Sequence, residues 1–313
     1  MSTAVNQTMK ILVTGASGYI GSVLVPLLLQ QHHQIRIVTR AVSRVPQAWA
    51  NAVAIVEGDL GDAAVCQQAV AGIDTVIHLA GLAHVSASRQ QHQQENFINT
   101  QQLARAAVAA GVKVFVYQSS SKANYPDHTS YGEFKRASEN YLLGLAGSAP
   151  SMRVVCLRPG IVYGAGMRNN LRTLLQLLGK PSLPLFARSS NTISMISVEA
   201  CAEAILAALG NPQLTGKVWE LNDGVAYTLD DLVVQVRRQL RLPMPRFYCP
   251  RYLLWQVFAI SGIMPARRGL GLNTYRALFL EPANLDDSFA RASGVKAATT
   301  FYDKLPELLK QGE

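Results

Sequence analysis

A tyrosine and a lysine four residues apart are the side chains in this sequence best suited to proton transfer. Tyr131 and Lys135 belong to the segment S-Y-G-E-F-K, and on a helix this spacing puts both on one face. A free tyrosine titrates near pH ~10, and an adjacent ammonium favours its ionised form. Lowering that pKa to about 7 takes about 4 kcal/mol, which a lysine near water does not supply alone. The pair therefore predicts a general acid–base site that needs a second positive group beside the ring.

Three consecutive serines, Ser119, Ser120 and Ser121, stand just upstream of this pair at the end of an apolar run. A hydroxyl from such a cluster can hold a substrate oxygen against the tyrosine. A Tyr-x-x-x-Lys pair alone is weak evidence, because such pairs also occur on ordinary surface helices. The serines make the catalytic interpretation more specific.

Near the start of the chain, residues 10–21 read K-I-L-V-T-G-A-S-G-Y-I-G. The apolar run before the glycines is typical of a central parallel strand, and an apolar helical segment follows them. Glycines at such a turn let a pyrophosphate approach the positive N-terminus of the helix. This pattern predicts a dinucleotide-binding turn, and a bound nicotinamide cation would supply the second positive group beside Tyr131. The residues assigned to the turn are Gly15, Ser17, Gly18, Tyr19, Ile20 and Gly21.

Short apolar runs alternate with helical segments through the first half of the chain. This alternation predicts an α/β fold with a doubly wound parallel sheet, the Rossmann fold. We predict an NAD(P)-binding domain over residues 1–165, rejoined by 190–225, and a smaller C-terminal substrate-binding lobe from 166–189 and 226–313. Ligands of such sheets lie at the carboxyl ends of the strands. The residues expected at those ends are Gly15, Thr39, Asp59, Ala80 and Ser121.

The end of the second predicted strand bears on the choice of cofactor. NAD-binding folds usually carry an acidic residue there for the ribose hydroxyls, whereas this chain has Thr39 and Arg40. An arginine at this place can accept a 2′-phosphate, so the sequence favours NADP over NAD. Alternatively, Arg40 is only an exposed loop charge.

Composition limits the other classes of function. The formal net charge is +9, from 29 basic and 20 acidic residues, but no basic helix with interleaved aromatics is visible, so no nucleic-acid partner is expected. Phosphate-bearing ligands explain the excess as well as a solvated basic surface does. The apolar stretch at 252–264 is too short to span a bilayer. With no secretory signal in 1–9 and four scattered cysteines that suggest no metal site, we expect a cytoplasmic protein.

Together, the G-x-x-G-x-x-G turn, the serine cluster and Tyr131-x-x-x-Lys135 resemble the extended short-chain dehydrogenase/reductase family, in its nucleotide-sugar epimerase/dehydratase branch. The resemblance runs from Ile11 to about Ala208. It implies that Tyr131 is the base, that Lys135 orients it and holds the nicotinamide ribose, and that Ser121 binds the reacting oxygen. It also implies a homodimer formed by the helices that follow Gln94 and Tyr131.

The same resemblance assigns further residues to the cofactor. It implies adenine contacts from Asp59 and Leu60, although Asp59 could simply cap the following helix. Asn96 matches a helix asparagine of the family, although it could lack any ligand. The positions expected along the rest of the dinucleotide are Leu79, Ala80, Gly81, Ser119, Pro159 and Ile161.

The substrate is where the sequence departs from the family. The segment that usually supplies an arginine to the sugar-nucleotide phosphates reads N-T-I-S-M-I-S at 191–197. The residues that could replace it are Arg168, Asn170, Arg188, Arg267 and Arg268, of which we name Asn170, Arg267 and Arg268. The expected reaction is C4 epimerisation of a nucleotide sugar or reduction of a 4-keto sugar. The alternatives are an NADPH-dependent carbonyl reductase of a non-sugar substrate and a non-catalytic NADP-sensing regulator.

Overall fold

The computed structural model describes residues 8–83, 87–148, 151–181, 187–245, 248–263 and 272–310. The chain forms parallel strands linked by helices, as the alternating pattern predicts. The strands are β1 (Lys10–Thr14), β2 (Gln34–Thr39), β3 (Val53–Glu57), β4 (Thr75–His78), β5 (Val114–Gln118), β6 (Arg153–Pro159), β7 (Ile161–Tyr163), β8 (Thr192–Ile193), β9 (Met195–Ser197), β10 (Lys217–Leu221) and β11 (Tyr227–Thr228). The α-helices are α1 (Tyr19–Gln30), α2 (Gln47–Ala50), α3 (Ala63–Val70), α4 (Arg89–Gln93), α5 (Asn99–Ala109), α6 (Ser130–Ser148), α7 (Asn170–Leu178), α8 (Val198–Gly210), α9 (Leu229–Gln239), α10 (Arg251–Ile263), α11 (Leu272–Phe279), α12 (Ser288–Ser293) and α13 (Phe301–Lys310).

Seven strands form the main sheet in the order β10-β6-β5-β4-β1-β2-β3. From β6 to β3 every neighbouring pair is parallel. The chain runs outward from β1 to β3 and then returns to place β4 on the other side of β1. The order therefore reverses between β1 and β4, the point at which doubly wound sheets bind their ligands. The predicted fold class is confirmed.

The sheet is built around strands with apolar side chains on both faces. Ile11, Leu12 and Val13 of β1 are fully buried. One face packs against α3, α5 and α6 through Leu103 and Leu142, which are also fully buried. This burial holds the strand ends, where the functional side chains lie, in fixed positions.

The helix that follows Gln94 is part of a longer and less regular helical segment. It starts at Arg89 as α4, behind a capping box made by Ser88 and Gln91. It then widens into a π-helical turn over Gln94–Ile98 before continuing as α5. Such turns are frequent at functional sites, and this one carries Asn96.

Contacts within the backbone divide the chain into two compact units. The first comprises 1–158, 201–219 and 288–295, and it contains most of the main sheet. The second comprises 159–200, 220–287 and 296–313, and it contains the small pairs β7–β9 and β8–β11. The domain limits expected from the sequence stay a prediction.

A half-buried carboxylate organises the second unit. Asp223 Oδ2 accepts hydrogen bonds from the hydroxyls of Tyr163 at 3.1 Å and Tyr227 at 2.6 Å. It also accepts from the Phe301 amide at 3.2 Å, at the start of α13. The Phe301 ring packs edge-on against both tyrosines. This cluster joins β7, β11 and α13 into one core.

Candidate active site

The turn between β1 and α1 is shaped for a close approach to its backbone. Gly15 has a φ of +70°, and a Cβ there would lie 2.7 Å from the Ala80 amide nitrogen. A Cβ on Gly21 would lie 2.4 Å from the Ala16 carbonyl oxygen. Because other residues would clash, both positions require glycine.

Helix α1 begins beside this turn without a side-chain cap. Its N-cap residue is Gly18, which provides no side-chain cap, and no acidic residue lies in the first turn, where the Ser22 hydroxyl donates to the Tyr19 carbonyl. Free amides at a helix N-terminus form a site for an anion. The turn therefore fits the diphosphate of a dinucleotide. Ser17, Tyr19 and Ile20 lie at its rim or in the first turn of α1.

The loop after β4 is held against the catalytic helix by Asn96. The Asn96 Oδ1 accepts from the Leu82 amide at 2.9 Å, and its Nδ2 donates to the Leu82 carbonyl at 2.9 Å. A Cβ on Gly81 would lie 2.7 Å from Asn96 Oδ1 and 3.2 Å from Lys135 Nζ. Leu79, Ala80 and Gly81 thus form a narrow path between the glycine turn and Lys135.

Tyr131 and Lys135 lie on one face of α6, as their spacing predicts. Lys135 is buried, and its Nζ donates to the Gln118 carbonyl at 2.8 Å at the end of β5. The ammonium lies 4.7 Å from the centre of the Tyr117 ring and 6.0 Å from that of Tyr131. Burial lowers the pKa of Lys135 to about 8, although the Glu139 carboxylate raises it.

Lys135 alone does not lower the pKa of the Tyr131 hydroxyl. Burial raises the pKa of Tyr131, and a hydrogen bond with the Ser120 side chain opposes that rise. A raised pKa agrees with the expectation that a lysine alone does not bring the pKa of Tyr131 to about 7. A second positive charge beside the ring would favour the ionised form of Tyr131.

Each of the three serines has a different environment. Ser120 is the serine hydrogen-bonded to Tyr131, and its Oγ also accepts from the Lys122 amide at 3.2 Å. Ser119 donates to the buried Glu139 carboxylate. Ser121, which the sequence analysis selected for the reacting oxygen, begins a short 3₁₀ helix over Ser121–Asn124. The structure therefore pairs the tyrosine with the neighbouring serine.

A buried ion pair fixes the segment that carries these serines. Arg158 donates from Nε to Glu139 Oε1 at 2.7 Å and from Nη2 to Oε2. Its Nη1 donates to Asn124 Oδ1 at 2.7 Å. Because Ser119 also donates to Glu139, the start and end of the segment 119–124 are attached to one charge pair.

The sequence analysis missed this ion pair, although two signals could have found it. Glu139 is four residues after Lys135, so Tyr131, Lys135 and Glu139 share one helix face. Arg158 interrupts the apolar run of β6, and a charge on a buried strand needs a partner of opposite sign.

A chain of buried polar contacts connects the glycine turn to α6. The Thr14 hydroxyl contacts His78 Nδ1 at 2.7 Å, and His78 Nε2 contacts the Thr100 hydroxyl at 2.9 Å. Thr100 and Ser138 both donate to the Asn96 carbonyl. Burial, followed by the nearby Lys135 charge, lowers the pKa of His78 to about 3. This histidine is neutral and structural.

At the end of β2, Arg40 is exposed and forms two ion pairs. Its Nη1 lies 3.1 Å from Glu95 Oε1 and 3.7 Å from Asp59 Oδ2. Asp59 also accepts from the Gly61 amide at 2.7 Å, and Leu60 beside it is buried. Thr39 bonds to the backbone of Ala41.

The remaining predicted residues lie in the second unit or outside the described residues. Pro159 ends β6, and Ile161 begins β7, which pairs with β9. Asn170 begins α7 and donates to the Thr274 hydroxyl at 2.9 Å. Arg267 and Arg268 lie outside the described residues.

Comparison with known proteins assigns the family. The model of the NAD dependent epimerase/dehydratase family matches residues 11–221. The chain belongs to this family. The seven-stranded sheet, the glycine turn and the Tyr131–Lys135 helix are thus features of a family member.

Two curated relatives match over most of their lengths. A UDP-glucose 4-epimerase of Vibrio cholerae is 27% identical over 83% of this chain and 85% of its own length. A 2-alkyl-3-oxoalkanoate reductase of Stenotrophomonas maltophilia is 28% identical over 89% of this chain and 93% of its own. The relatives therefore include both a sugar-nucleotide epimerase and a reductase.

Among solved structures, the UDP-glucose 4-epimerase of Thermus thermophilus in complex with NAD superimposes with a TM-score of 0.72. It is 22% identical, and the match covers 97% of this chain and 99% of the other. This likeness supports the fold. Within the described residues, no helix is both long and apolar enough to cross a membrane.

Proposed function

We propose that this protein is an NAD(P)-dependent oxidoreductase or epimerase that interconverts an alcohol and a ketone on a nucleotide-activated sugar. The observation that carries the proposal is the hydrogen bond between Tyr131 and Ser120 beside the buried Lys135. A phenol, a hydroxyl and an ammonium at this place can bind and protonate a carbonyl oxygen.

The chain's own groups divide the work. Ser120, in place of the predicted Ser121, holds the substrate oxygen against the Tyr131 hydroxyl. Tyr131 takes the proton of an alcohol or gives one to a ketone. Lys135 stabilises the ionised phenol and orients it. The nicotinamide cofactor, when bound, supplies the hydride acceptor or donor.

The cofactor would be held by groups at the strand ends of the first unit. The uncapped start of α1 would hold the diphosphate, with Gly15 and Gly21 allowing its approach. Asp59 would hold the adenosine end, and the Gly81 loop would lie along the nicotinamide half.

We propose NADP in preference to NAD because of Arg40. Its partners Glu95 and Asp59 are both partly exposed, and exposed ion pairs contribute only about 0–1 kcal/mol. A guanidinium–phosphate contact contributes about 1.5–3 kcal/mol, so a 2′-phosphate can displace these carboxylates.

Titration of NADPH and NADH tests this choice. Arg40→Asp is expected to lose the preference for NADPH by about 10- to 150-fold, the equivalent of 1.5–3 kcal/mol. Arg44→Asp, a nearby exposed arginine, is the matched control and should keep the preference. Equal binding of both cofactors by the unaltered protein would refute the NADP proposal.

The sugar substrate is supported by the family and by the Vibrio cholerae epimerase. Residues 191–197, which in the family usually supply an arginine to the substrate phosphates, contain none in this chain. In the structure, Asn191 of that segment donates to the carbonyls of Ala277 and Glu281 and supplies no positive charge. We propose that Asn170, Arg267 and Arg268 take this role.

A carbonyl reductase of a non-sugar substrate is the second candidate. The Stenotrophomonas maltophilia reductase covers more of this chain than the epimerase does. The segment without an arginine at 191–197 also favours a substrate without a diphosphate.

One assay separates the two candidates. The protein is incubated with UDP- and dTDP-sugars, with 4-keto sugars, and with 3-oxoalkanoates, while NADPH absorbance and product stereochemistry are followed together. Inversion without net oxidation indicates an epimerase, and consumption of NADPH by a keto sugar indicates a reductase. Turnover of oxoalkanoates alone would reject the sugar proposal, and turnover of no substrate by a protein that binds NADPH would favour the sensing regulator.

A further inference from the structure

The first half of helix α10 in the second unit turns apolar side chains outward. Tyr252 is 65% exposed, Trp255 48% and Leu253 40%, whereas Leu254 is buried. At 100° per residue the three exposed side chains lie within an arc of roughly 160°. A surface helix normally places polar residues on such an arc. On this arc the exposed Gln256 lies between Tyr252 and Leu253, so three of the four exposed side chains in 252–256 are apolar or aromatic.

Tyr248, three residues before the helix, is also exposed, and Arg188, which it contacts, accepts a hydrogen bond at its carbonyl from Arg251 at the start of α10. We call Tyr248, Tyr252, Leu253 and Trp255 the aromatic face. Three of its four members are tyrosine or tryptophan, whose rings combine an apolar body with a polar tip. Such rings are preferred where an apolar phase meets water.

Two arginines border the aromatic face. The Arg188 guanidinium lies 4.3 Å from the centre of the Tyr248 ring. Arg251 donates to the Arg188 carbonyl at 3.3 Å, and its guanidinium lies 5.6 Å from the Phe279 ring. Both arginines are exposed. The hydrogen bond of Arg188 with Tyr248 and the charge of Asp230 raise the pKa of Arg188, so this guanidinium stays charged at the border of the face.

The charge of the surrounding sequence has one sign. Residues 232–280 contain eight arginines and no aspartate or glutamate. One of the eight, Arg237, is buried and donates to the carbonyls of Leu178, Lys180 and Pro181. The sequence of this stretch therefore carries a net positive charge.

We propose that the aromatic face is a peripheral docking surface for an anionic lipid bilayer. Leu253 and the three aromatic rings would enter the boundary between headgroups and acyl chains, while Arg188 and Arg251 contact lipid phosphates. A second copy of the chain fits less well, because its own arginines would face these. This inference concerns the second unit and does not depend on the proposed reaction.

The tryptophans offer a direct measurement. The chain has three, and Trp49 and Trp219 are buried whereas Trp255 is exposed. Insertion of the aromatic face should therefore shift the emission of Trp255 to shorter wavelength and leave the other two unchanged. The full-length protein is mixed with vesicles of phosphatidylcholine alone, or of phosphatidylcholine and phosphatidylglycerol in equal amounts. We expect sedimentation with the anionic vesicles, a blue shift, and weaker binding at high salt.

Variants then separate the apolar and charged contributions. Tyr252→Ala with Trp255→Ala should abolish sedimentation. Trp255→Phe should keep the binding but lose the blue shift. Arg188→Ala with Arg251→Ala should weaken partitioning by about 30-fold, from about 1 kcal/mol for each arginine. The matched control, Arg44→Ala with Lys113→Ala, removes two exposed charges from the first unit and should bind as the unaltered protein does.

Several results would overturn the proposal. Absence of sedimentation with anionic vesicles would do so, as would equal binding to neutral vesicles or equal binding by the Tyr252 and Trp255 variant. A blue shift that follows protein concentration without lipid would assign the face to a second copy. A shift produced by single-stranded RNA, and not by vesicles, would assign it to nucleic acid.

Discussion

The surroundings of Tyr131 and of Asp223 both bury tyrosine hydroxyls, but they prepare them for opposite tasks. Tyr131 has a neutral hydroxyl, Ser120, as its partner and an ammonium within 6.0 Å of its ring. Tyr163 and Tyr227 instead donate to a carboxylate. Burial raises the pKa of all three, and at Tyr163 and Tyr227 the Asp223 carboxylate raises it further.

The difference shows that the charge of the neighbouring group decides whether a tyrosine hydroxyl can ionise. A phenol that donates to a carboxylate cannot release its proton, because two negative charges would then face each other. It remains a donor and stabilises the fold. A phenol beside a positive group and a neutral hydroxyl can ionise once a second positive charge arrives. The predictions below test this contrast.

The largest effect is expected at the catalytic position. Tyr131→Phe removes only the hydroxyl that we propose as the proton donor and acceptor, so turnover should fall by about two to four orders of magnitude. The fold and the affinity for the cofactor should be kept, as measured by circular dichroism and NADPH titration. Turnover close to that of the unaltered protein would remove Tyr131 from the mechanism.

The buried Glu139 carboxylate and the half-buried Asp223 carboxylate should also differ when neutralised. Glu139→Gln leaves the Arg158 guanidinium buried without a counter-charge, which should cost about 3–5 kcal/mol of unfolding free energy. Asp223→Asn, the matched variant, leaves no buried cation and should cost less. Denaturant titration measures both. An equal loss in the two variants would mean that the charge of Arg158 contributes nothing.

Part of this contrast was predictable from the sequence. The spacing of Tyr131 and Lys135 and the glycines at 15, 18 and 21 impose local geometry, and both local predictions agree with the structure. These two predictions agree with the structure because helix periodicity and the backbone conformation at glycine depend only on nearby residues.

The contacts that decide each tyrosine's task are not local. Tyr163, Asp223 and Phe301 are far apart in the chain and meet only after folding. The choice between Ser120 and Ser121 depends on how a short 3₁₀ helix starts, a matter of one residue. The π-helical turn at Asn96 likewise has no signal in the apolar periodicity that predicts helices.

The ionisation of Lys135 should make both turnover and the free energy of unfolding depend on pH. Its pKa is lowered to about 8 from 10.5, so the ammonium beside Tyr131 is lost as the pH rises through about 8, and turnover should fall there. Stability should move the other way. Because the folded state binds fewer protons than the unfolded state between these two values, the unfolding free energy rises with pH across that window.

Two variants test whether the ionisation of Lys135 causes the fall in turnover at high pH, which is the falling limb of the pH profile. Lys135→Arg keeps its charge and should move the limb to much higher pH. Glu139→Gln removes the carboxylate that raises the lysine pKa, and should move the limb to lower pH. Activity measured from pH 6 to 10 would contradict this assignment if the limb stayed in place in both variants.

The smallest effect is expected at Tyr227, whose hydroxyl donates to the Asp223 carboxylate. Tyr227→Phe removes a 2.6 Å hydrogen bond to Asp223, and the unfolding free energy should fall by about 1–3 kcal/mol. The Tyr163 hydroxyl and two backbone amides still donate to the carboxylate, so the loss should be smaller than that of Glu139→Gln. Turnover per folded molecule should not change. If Tyr227→Phe instead lowered turnover as far as Tyr131→Phe does, the two regions would not be separate in task, and the distinction drawn from their charges would fail.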